Sequence, residues 1–157
     1  MDVVEGAARI VSPWQVEITR RDGTQQSLRT RSIVVAAGAR PVVPELPGID
    51  RIAYLTSDTV WQLRQLPRRL LILGGGPIGS ELAQAFSRLG AQVTLVERGA
   101  RLLAREDPEV SALVAQRFRA EGVQLRLAHE SKTFIVEQGE QMLIAEHTGA
   151  TVRLPFD

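Results

Sequence analysis

The sequence predicts an α/β fold in which helices cover both faces of a parallel sheet, and three observations lead to this class. The apolar run at residues 70–73 is unbroken, as expected for a strand that is buried on both faces. A glycine-rich turn and a segment with helical periodicity follow it, and Gly90 ends that segment. A second apolar run at residues 92–96 completes a β-α-β unit, whose strands run parallel because the helix carries the chain back along the sheet.

Each helix is predicted from an apolar stripe with helical spacing. In the first helix the stripe consists of Ile78, Leu82, Ala85, Phe86 and Leu89. The second helix begins at Asp107-Pro108, a capping side chain followed by proline at the first helical position, and Gly122 ends it. Its stripe consists of Val110, Leu113, Val114 and Phe118. Residues 123–128 are then predicted to form a third parallel strand.

The last part of the chain is predicted to form an antiparallel hairpin. Residues 133–136 and 142–146 are strand-like, and Gly139 joins them. We expect the chain to stop at residue 157 just before the last strand of its domain begins. Ahead of the parallel sheet, Ser57-Asp58 can cap a short helix that runs through Leu66 and ends at Pro67.

The N-terminal region has a different pattern, which indicates a small β segment. Strand-like runs at residues 3–11 and 14–19 are separated by Ser12-Pro13, and Asp22-Gly23 supplies a hairpin turn. A compact apolar run at residues 32–38 is predicted to form another strand. Residues 39–47 carry three prolines and are predicted to form a stiff connector rather than part of a core. We therefore divide the chain into residues 1–52 and residues 53–157.

The glycine spacing after the first parallel strand predicts a dinucleotide-binding site. Gly74 and Gly76 let the backbone turn and approach a pyrophosphate closely, and Gly79 lets the helix pack tightly against the strand. The helix tip at Pro77-Ile78 offers free N–H groups and the positive end of the helix dipole to the phosphates. A glycine-rich turn that binds nothing is the alternative, and the order of strand, turn, helix, strand and acid favours the dinucleotide.

The acid that ends the second strand indicates NAD(H) rather than NADP(H). Glu97 lies 18 residues after Gly79, near the spacing of about 20 at which a carboxylate binds the ribose hydroxyls. A 2′-phosphate about 4 Å from this carboxylate would be opposed by roughly 1–4 kcal/mol. Arg98 and Arg101 act in the other direction, because either side chain could reach a phosphate, and Arg98 is included among the candidate cofactor-binding residues.

Composition excludes several other functions. The formal net charge is +1 and the arginines are scattered among acids, so we expect neither a nucleic acid nor a membrane surface as a partner. No apolar run reaches the ~20 residues of a spanning helix and no secretory signal is visible, so we expect a cytoplasmic protein. Cysteine is absent, which excludes disulfides and thiolate ligands within the chain. His129 and His147 are isolated in sequence, and we predict no metal site and no catalytic residue.

Several motifs, taken in order, resemble those of the flavin-dependent pyridine nucleotide–disulfide oxidoreductases. Residues 32–41 are similar to the strand and A-T-G-x-x-P segment of the family's FAD domain, with Ala37 where threonine is usual. Residues 44–49 resemble the P-x-x-P-G-I link, and residues 74–81 resemble the G-G-G-x-I-G-x-E motif of the NAD domain. Residues 105–108 are similar to a helix start in the mercuric-reductase-like branch.

The resemblance implies that the chain is the NAD(H)-binding domain of a longer enzyme, with trailing strands of the FAD domain attached. The chain lacks a second glycine motif for FAD, a C-x-x-x-x-C pair and a dimerisation domain. FAD would therefore belong only to the intact parent, which is expected to be a homodimer. The parent would pass a hydride from nicotinamide to flavin, whereas the fragment alone would be inactive. Glu81 is implied to orient the nicotinamide carboxamide from the first turn of the helix. The alternative is an acid that merely favours a helix N-terminus.

A second function class is a non-catalytic Rossmann-like module that senses NAD. Such a module would need the glycine turn and Glu97 but no redox partner. The segment at residues 32–48 argues against it, because a free-standing sensor has no use for an FAD-type connector.

Overall fold

A computed structural model describes residues 2–157, which form two compact units that divide between Arg40 and Pro41. The strands and α-helices are β1 Ala7–Ser12, β2 Gln15–Thr19, β3 Gln25–Arg29, β4 Arg69–Leu73, α1 Pro77–Arg88, β5 Gln92–Glu97, α2 Pro108–Ala120, β6 Gln124–Leu127, β7 Glu130–Glu137, β8 Glu140–His147 and β9 Ala150–Phe156. Short 3-10 helices span Ile49–Arg51 and Val60–Gln62. The assignment of residues 1–52 and 53–157 to two cofactor domains stays a prediction.

The first unit is a three-stranded antiparallel sheet in the order β1-β2-β3. The predicted hairpin turn is confirmed, since Gly23 has a φ of 84° and the Asp22 carboxylate accepts hydrogen bonds from the backbone and the hydroxyl of Thr24. Ile18 is the only fully buried hydrophobic side chain among residues 2–40, while Ile10 and Trp14 are exposed. This sheet therefore has very little core of its own.

The strand predicted at residues 32–38 is not formed. The backbone at these residues has no regular structure, and Val34 and Val35 are 88% and 71% exposed. The sequence pattern was that of a buried strand, but such a strand exists only where neighbouring strands accept its backbone hydrogen bonds. Within the described residues no strand pairs with this segment.

The second unit is built on the predicted parallel sheet, in the order β4-β5-β6. Side chains on one face of this sheet, including Val93 and Leu95, pack with Ala83 of α1 and with Ala115 and Phe118 of α2. The α/β class and the β-α-β unit are thus confirmed, and both α-helices lie on this one face.

The other face of the parallel sheet is covered by a second sheet rather than by a helix. Leu71, Leu73 and Val96 pack against the antiparallel sheet β7-β8-β9, whose buried residues include Phe134, Leu143 and Phe156. An unbroken apolar strand shows that both of its faces are covered, but it does not show which kind of layer covers each. The sequence analysis predicted helices on both faces, and the structure has strands on this one.

The predicted hairpin is confirmed as β7 and β8, and β9, a strand that the sequence analysis did not predict, follows it before residue 157. β9 pairs with β8 after a turn at Thr148-Gly149, where both residues have positive φ. Its apolar positions Val152, Leu154 and Phe156 alternate as in a half-buried strand, and the proline at 155 obscured that pattern. The amide of Asp157 then donates to the Arg69 carbonyl, joining this strand to the start of β4.

The helix stripes were only partly correct. α1 buries Ser80 and Ala83, and α2 buries Ser111, Ala115 and Phe118, whereas Ile78, Leu89, Val110 and Leu113 are exposed. A helix that lies close to a sheet needs small residues at the contact, and these are not the most hydrophobic positions of the stripe. The predicted Asp107 side-chain cap is also absent: Asp107 is the N-cap residue, and its carbonyl accepts the Ser111 amide, but its carboxylate accepts no amide of the first turn.

The first part of the second unit, ahead of β4, differs from its prediction in two ways. The expected helix from residue 57 to 66 is only a single 3-10 turn, and the Thr59 hydroxyl accepts the Thr56 amide there. The connector is partly a core element, since Leu46 and Ile49 pack into the second core. The Pro47 carbonyl accepts the Phe134 amide at 2.8 Å, which fixes the connector to β7.

Candidate dinucleotide-binding site

The turn after β4 depends on a glycine in the left-handed region. Gly74 has a φ of 95°, which an L side chain rarely adopts. Its amide donates to the Val96 carbonyl at 2.8 Å, so the turn continues the pairing of β4 with β5. The chain then leaves the sheet at the carboxyl end of β4, where ligands of parallel α/β folds bind.

Gly79 sets how closely α1 approaches this turn. A Cβ at Gly79 would lie 2.0 Å from the Gly74 carbonyl oxygen, which is far inside any real contact distance. Any side chain at this position would push the helix away from the turn. The close packing that the third glycine predicted is therefore present.

The N-terminus of α1 presents unpaired amides to open space. Gly76 is the N-cap residue, and Pro77 follows it as the first helical residue without an N–H. Among the described residues nothing accepts the amides of Ile78 and Gly79, and Ser80 is the first whose amide is paired, with the Gly76 carbonyl. A Cβ at Gly76 would meet no atom within 4 Å. An anion could approach here and receive both hydrogen bonds and the field of the helix dipole.

Gly75 is a site residue that the sequence analysis passed over. It is buried, and a Cβ there would lie 2.6 Å from the Leu102 side chain. Its carbonyl accepts the Leu103 amide at 2.8 Å, and its amide donates to the Glu97 carboxylate. Three consecutive glycines were the available signal, because the middle one is needed where a second loop crosses the turn.

Glu97 ends β5 and joins two loops. One carboxylate oxygen accepts the Gly75 amide at 2.7 Å, and the other accepts the Gly99 amide at 2.6 Å. Each carboxylate oxygen has two lone pairs, so each retains one for a hydroxyl donor. The side chain can therefore hold the glycine turn and still accept hydrogen bonds from a sugar.

The two arginines near Glu97 differ in the contacts that their side chains make. Arg101 donates to the carbonyls of Ala104 and Glu106, at 2.7 and 3.1 Å, and so is held by its own loop. Arg98 is exposed and makes no hydrogen bond or ion pair within residues 2–157. Only Arg98 is free to meet a ligand without breaking an existing contact.

Glu81 lies just beyond the first turn of α1, whereas the resemblance implied a position within that turn. It is the fifth residue of α1, and the first turn of the helix carries no acid. Because the effect of the helix dipole falls off within the first turn, the alternative reading of Glu81 as a dipole-stabilising acid loses its basis. Its side chain is exposed and has no hydrogen-bond partner in the described chain.

The structure also brings together two histidines that are isolated in sequence. The rings of His129 and His147 are stacked, with centroids 4.2 Å apart and planes 10° apart. They lie where β6 meets β7 and at the end of β8. Within residues 2–157 there is no group of three or more side chains placed to hold a metal ion, and no helix has the length and apolar character that a membrane span requires.

Comparisons with known proteins identify the family of this chain. The family described as pyridine nucleotide-disulphide oxidoreductase matches residues 1–155. Mercuric reductase from Streptomyces lividans is 38% identical over 156 residues, a match that covers 92% of this chain and 33% of that protein. The chain thus spans about a third of the length of this relative.

Two solved structures are similar to most of this chain. A Cu(II) complex of a mutant HOCl-induced flavoprotein disulfide reductase, RclA from Escherichia coli, is 30% identical with a TM-score of 0.72, covering 99% of this chain and 34% of that one. An engineered water-forming NADPH oxidase bound to NADPH is 25% identical with a TM-score of 0.61, covering 87% of this chain and 33% of that one.

Proposed function

Because this chain belongs to the pyridine nucleotide-disulphide oxidoreductase family, we propose that residues 41–157 bind NAD(H) at the tip of α1. The observation that carries the proposal is the pair of unpaired amides at Ile78 and Gly79, beside an open Gly76 and next to Glu97. The whole parent protein would be an oxidoreductase, as its relatives are named.

The proposed phosphate site fits a pyrophosphate. The α1 tip supplies two N–H donors and the positive end of a twelve-residue helix. Gly76 has a φ of −74°, so its conformation does not require glycine, and the empty space above it is the feature that a ligand would use. Gly79 keeps the helix close enough to the turn for both donors to face the same space.

The proposed ribose site favours NAD(H) over NADP(H). Glu97 would accept hydrogen bonds from the ribose hydroxyls with the lone pairs that Gly75 and Gly99 leave unused. A 2′-phosphate would instead place a negative charge beside this carboxylate. Of the two arginines that follow Glu97, Arg98 is the one that its own loop does not hold, and it could offset that repulsion.

The remaining roles rest on the family resemblance. Glu81, exposed on the first part of α1, would hydrogen-bond the nicotinamide carboxamide and orient the ring. Bound NADH supplies a hydride, which the flavin of the parent enzyme would accept. The fragment alone would not complete this reaction, because the FAD and dimerisation domains of the proposed homodimeric, cytoplasmic parent are required for it.

The alternative is a module that binds NAD without any redox partner. The family match supports the reductase instead, because it extends from residue 1 to 155 and so includes the N-terminal β segment as well as the nucleotide-binding unit. A sensing module would account for the second unit only.

A substitution at Gly76 tests the proposed site without disturbing the fold. Gly76→Asp places a carboxylate in the open space, where the backbone conformation accepts any residue. Repulsion of about 1–4 kcal/mol from a phosphate at about 4 Å predicts at least roughly fivefold weaker NADH binding, measured by nicotinamide fluorescence. Ala85→Asp, an equal charge on the exposed side of the same helix, is the control and should bind like wild type. Unchanged affinity in Gly76→Asp would refute the site.

Cofactor preference is tested at Glu97. Glu97→Gln removes the negative charge and replaces one of the two acceptor oxygens, so we expect weaker NADH binding and a smaller NADH preference over NADPH. Tighter binding of NADPH than of NADH by wild type would overturn the proposed preference.

A further inference from the structure

A series of hydrogen bonds links α2 to the peptide group that precedes the proposed phosphate site. The Ser111 hydroxyl on α2 donates to the Leu102 carbonyl at 2.7 Å. The N–H of that same peptide group, which belongs to Leu103, donates to the Gly75 carbonyl at 2.8 Å. Because the carbonyl and the N–H of a trans peptide point in opposite directions, the Gly76 amide is directed away from the loop between β5 and α2.

The Gly76 amide, at the end of this series, is free to meet a ligand. Within residues 2–157 nothing accepts its hydrogen, and Gly76 is exposed. It adds a third N–H donor to those of Ile78 and Gly79 at the tip of α1. The series therefore runs from a buried hydroxyl on α2, through two peptide groups, to a donor that an anion at the α1 tip could use.

Two buried serines, one on each helix, donate to the carbonyls of these two peptide groups. Ser80 and Ser111 are two of the three polar residues buried among residues 2–157. Ser111 donates to the first peptide group, and the Ser80 hydroxyl makes a longer contact of 3.4 Å with the Gly75 carbonyl of the second. A helix packed closely on a sheet needs only a small side chain, which alanine supplies at Ala83 and Ala115. The hydroxyls therefore serve to orient the two peptide groups rather than to fill space.

The loop that contains the first peptide group has a conformation that its contacts impose. Leu103 has a φ of 48°, in the left-handed region that leucine rarely adopts. Its carbonyl accepts the Glu106 amide at 2.8 Å, and Arg101 donates to the carbonyls of Ala104 and Glu106. These bonds hold the loop to itself. The side-chain hydrogen bond that holds it to α2 comes from Ser111.

We propose that Ser111 is a positioning residue for the dinucleotide site, which fixes the Gly75–Gly76 peptide group so that its N–H faces the pyrophosphate. The inference rests on the proposed function. Hydrogen bonds in series polarise one another, so the Ser111 hydroxyl also makes the Gly76 amide a stronger donor to an anion. Loss of the hydroxyl would leave the carbonyl of the fully buried Leu102 without this partner, which favours a rearranged loop.

The test measures the affinity of the full chain for ADP-ribose by calorimetry and its Tm by thermal unfolding. Ser111→Ala should bind ADP-ribose at least about fivefold more weakly than wild type, the lower end of typical coupling between sites. Ser111→Thr keeps the hydroxyl, and a cavity lined by Ser111, Ala112 and Ala115 can take the added methyl group. This conservative variant should therefore bind like wild type.

Ser87→Ala is the matched control for the loss of a serine hydroxyl. The Ser87 hydroxyl donates to the Glu121 carbonyl at 2.9 Å near the other end of α1, so this variant loses the same kind of hydrogen bond away from the site. It should lower the Tm and leave the affinity for ADP-ribose unchanged. Equal weakening of binding in Ser111→Ala and Ser87→Ala, or in Ser111→Ala and Ser111→Thr, would overturn the positioning role.

The Gly76→Asp variant separates this role from the proposed function. Weaker binding in Gly76→Asp together with wild-type affinity in Ser111→Ala would overturn the positioning role and leave the proposed function standing. Absence of ADP-ribose binding by wild type would overturn both.

Discussion

Each of the two units contains a three-stranded antiparallel sheet, and the two sheets are covered very differently within their own units. In β7-β8-β9, Phe134, Leu143 and Phe156 are buried against side chains of the parallel sheet. In β1-β2-β3, only Ile18 is buried, and Ile10 and Trp14 are exposed. The difference shows that strand pairing alone does not make a core, because a sheet buries its apolar face only when a second layer packs on it.

The largest expected contrast is in proteolysis. Arg31 lies in the irregular segment that follows β3, whereas Arg126 lies in β6 inside the second unit. Cleavage requires local opening, whose free energy ranges from near zero in irregular segments to the global value in a core strand. We expect trypsin to cut after Arg31 on the order of a hundredfold faster than after Arg126. Mass spectrometry of the fragments over time measures the rate of cleavage at each site. Similar rates at the two sites would contradict the contrast.

A matched pair of truncations compares the cores themselves. Leu95, on β5, is fully buried in the core that the parallel sheet forms with the two α-helices, whereas Leu28 on β3 is 39% exposed. Leu95→Ala should lower the free energy of unfolding by about 2–5 kcal/mol through lost burial and a residual cavity. Leu28→Ala should lower it by less than about 1 kcal/mol, since it removes only a few contacts. Urea denaturation followed by circular dichroism gives both values, and equal losses would show that the first sheet has a core after all.

Glycine substitutions sharpen the comparison at the connector. Gly48 and Gly139 both have positive φ, at 79° and 82°, so alanine should cost roughly 1–2 kcal/mol at either position. At Gly48 the added Cβ would also lie 2.1 Å from the Phe134 carbonyl oxygen, whereas at Gly139 it meets nothing within 4 Å. Thermal unfolding should therefore show the larger loss of stability for Gly48→Ala. Equal losses would mean that the connector does not press on β7.

The smallest expected effect is that of an ion-pair cluster between the two helices. Glu121 accepts hydrogen bonds from Arg88, Gln84 and Arg117, and these contacts lower the pKa of its carboxyl to about 2. Because the pKa of the Glu121 carboxyl is lower in the folded protein than its ordinary value of 4.5, the carboxylate stabilises the folded state at pH values above 4.5. This contribution is lost as the pH falls from 4.5 toward 2. Glu121→Gln should lower the Tm at pH 7, and by a smaller amount at pH 3.5.

The control for this cluster comes from the first unit. Arg9 and Glu17 form an ion pair whose side chains are 76% and 43% exposed. Solvent screening makes such pairs contribute little, so Glu17→Gln should leave the Tm unchanged. A Glu121→Gln effect that is the same at pH 7 and pH 3.5 would show that the carboxylate charge is not its source.

Local patterns predicted most of the site. The turn at Gly74, the close contact of Gly79 and the position of Glu97 at the end of β5 all follow from short-range spacing, and the structure has them. The pairing of Glu97 with Gly75 and Gly99 was not predictable, since it depends on how two loops meet at the sheet edge. Glu81 lies just beyond the first turn of α1, as the fifth residue of a helix whose start at Pro77 was predicted correctly.

By itself, the sequence determined the β-α-β unit, its parallel strands and the glycine turn, because periodicity and glycine chemistry act over a few residues and need no distant partner. Only the tertiary structure decided that strands rather than a helix cover the second face, that residues 32–38 form no strand, and that His129 stacks on His147. These outcomes depend on which distant segments accept a backbone hydrogen bond or cover an apolar face. No short stretch of sequence contains that information.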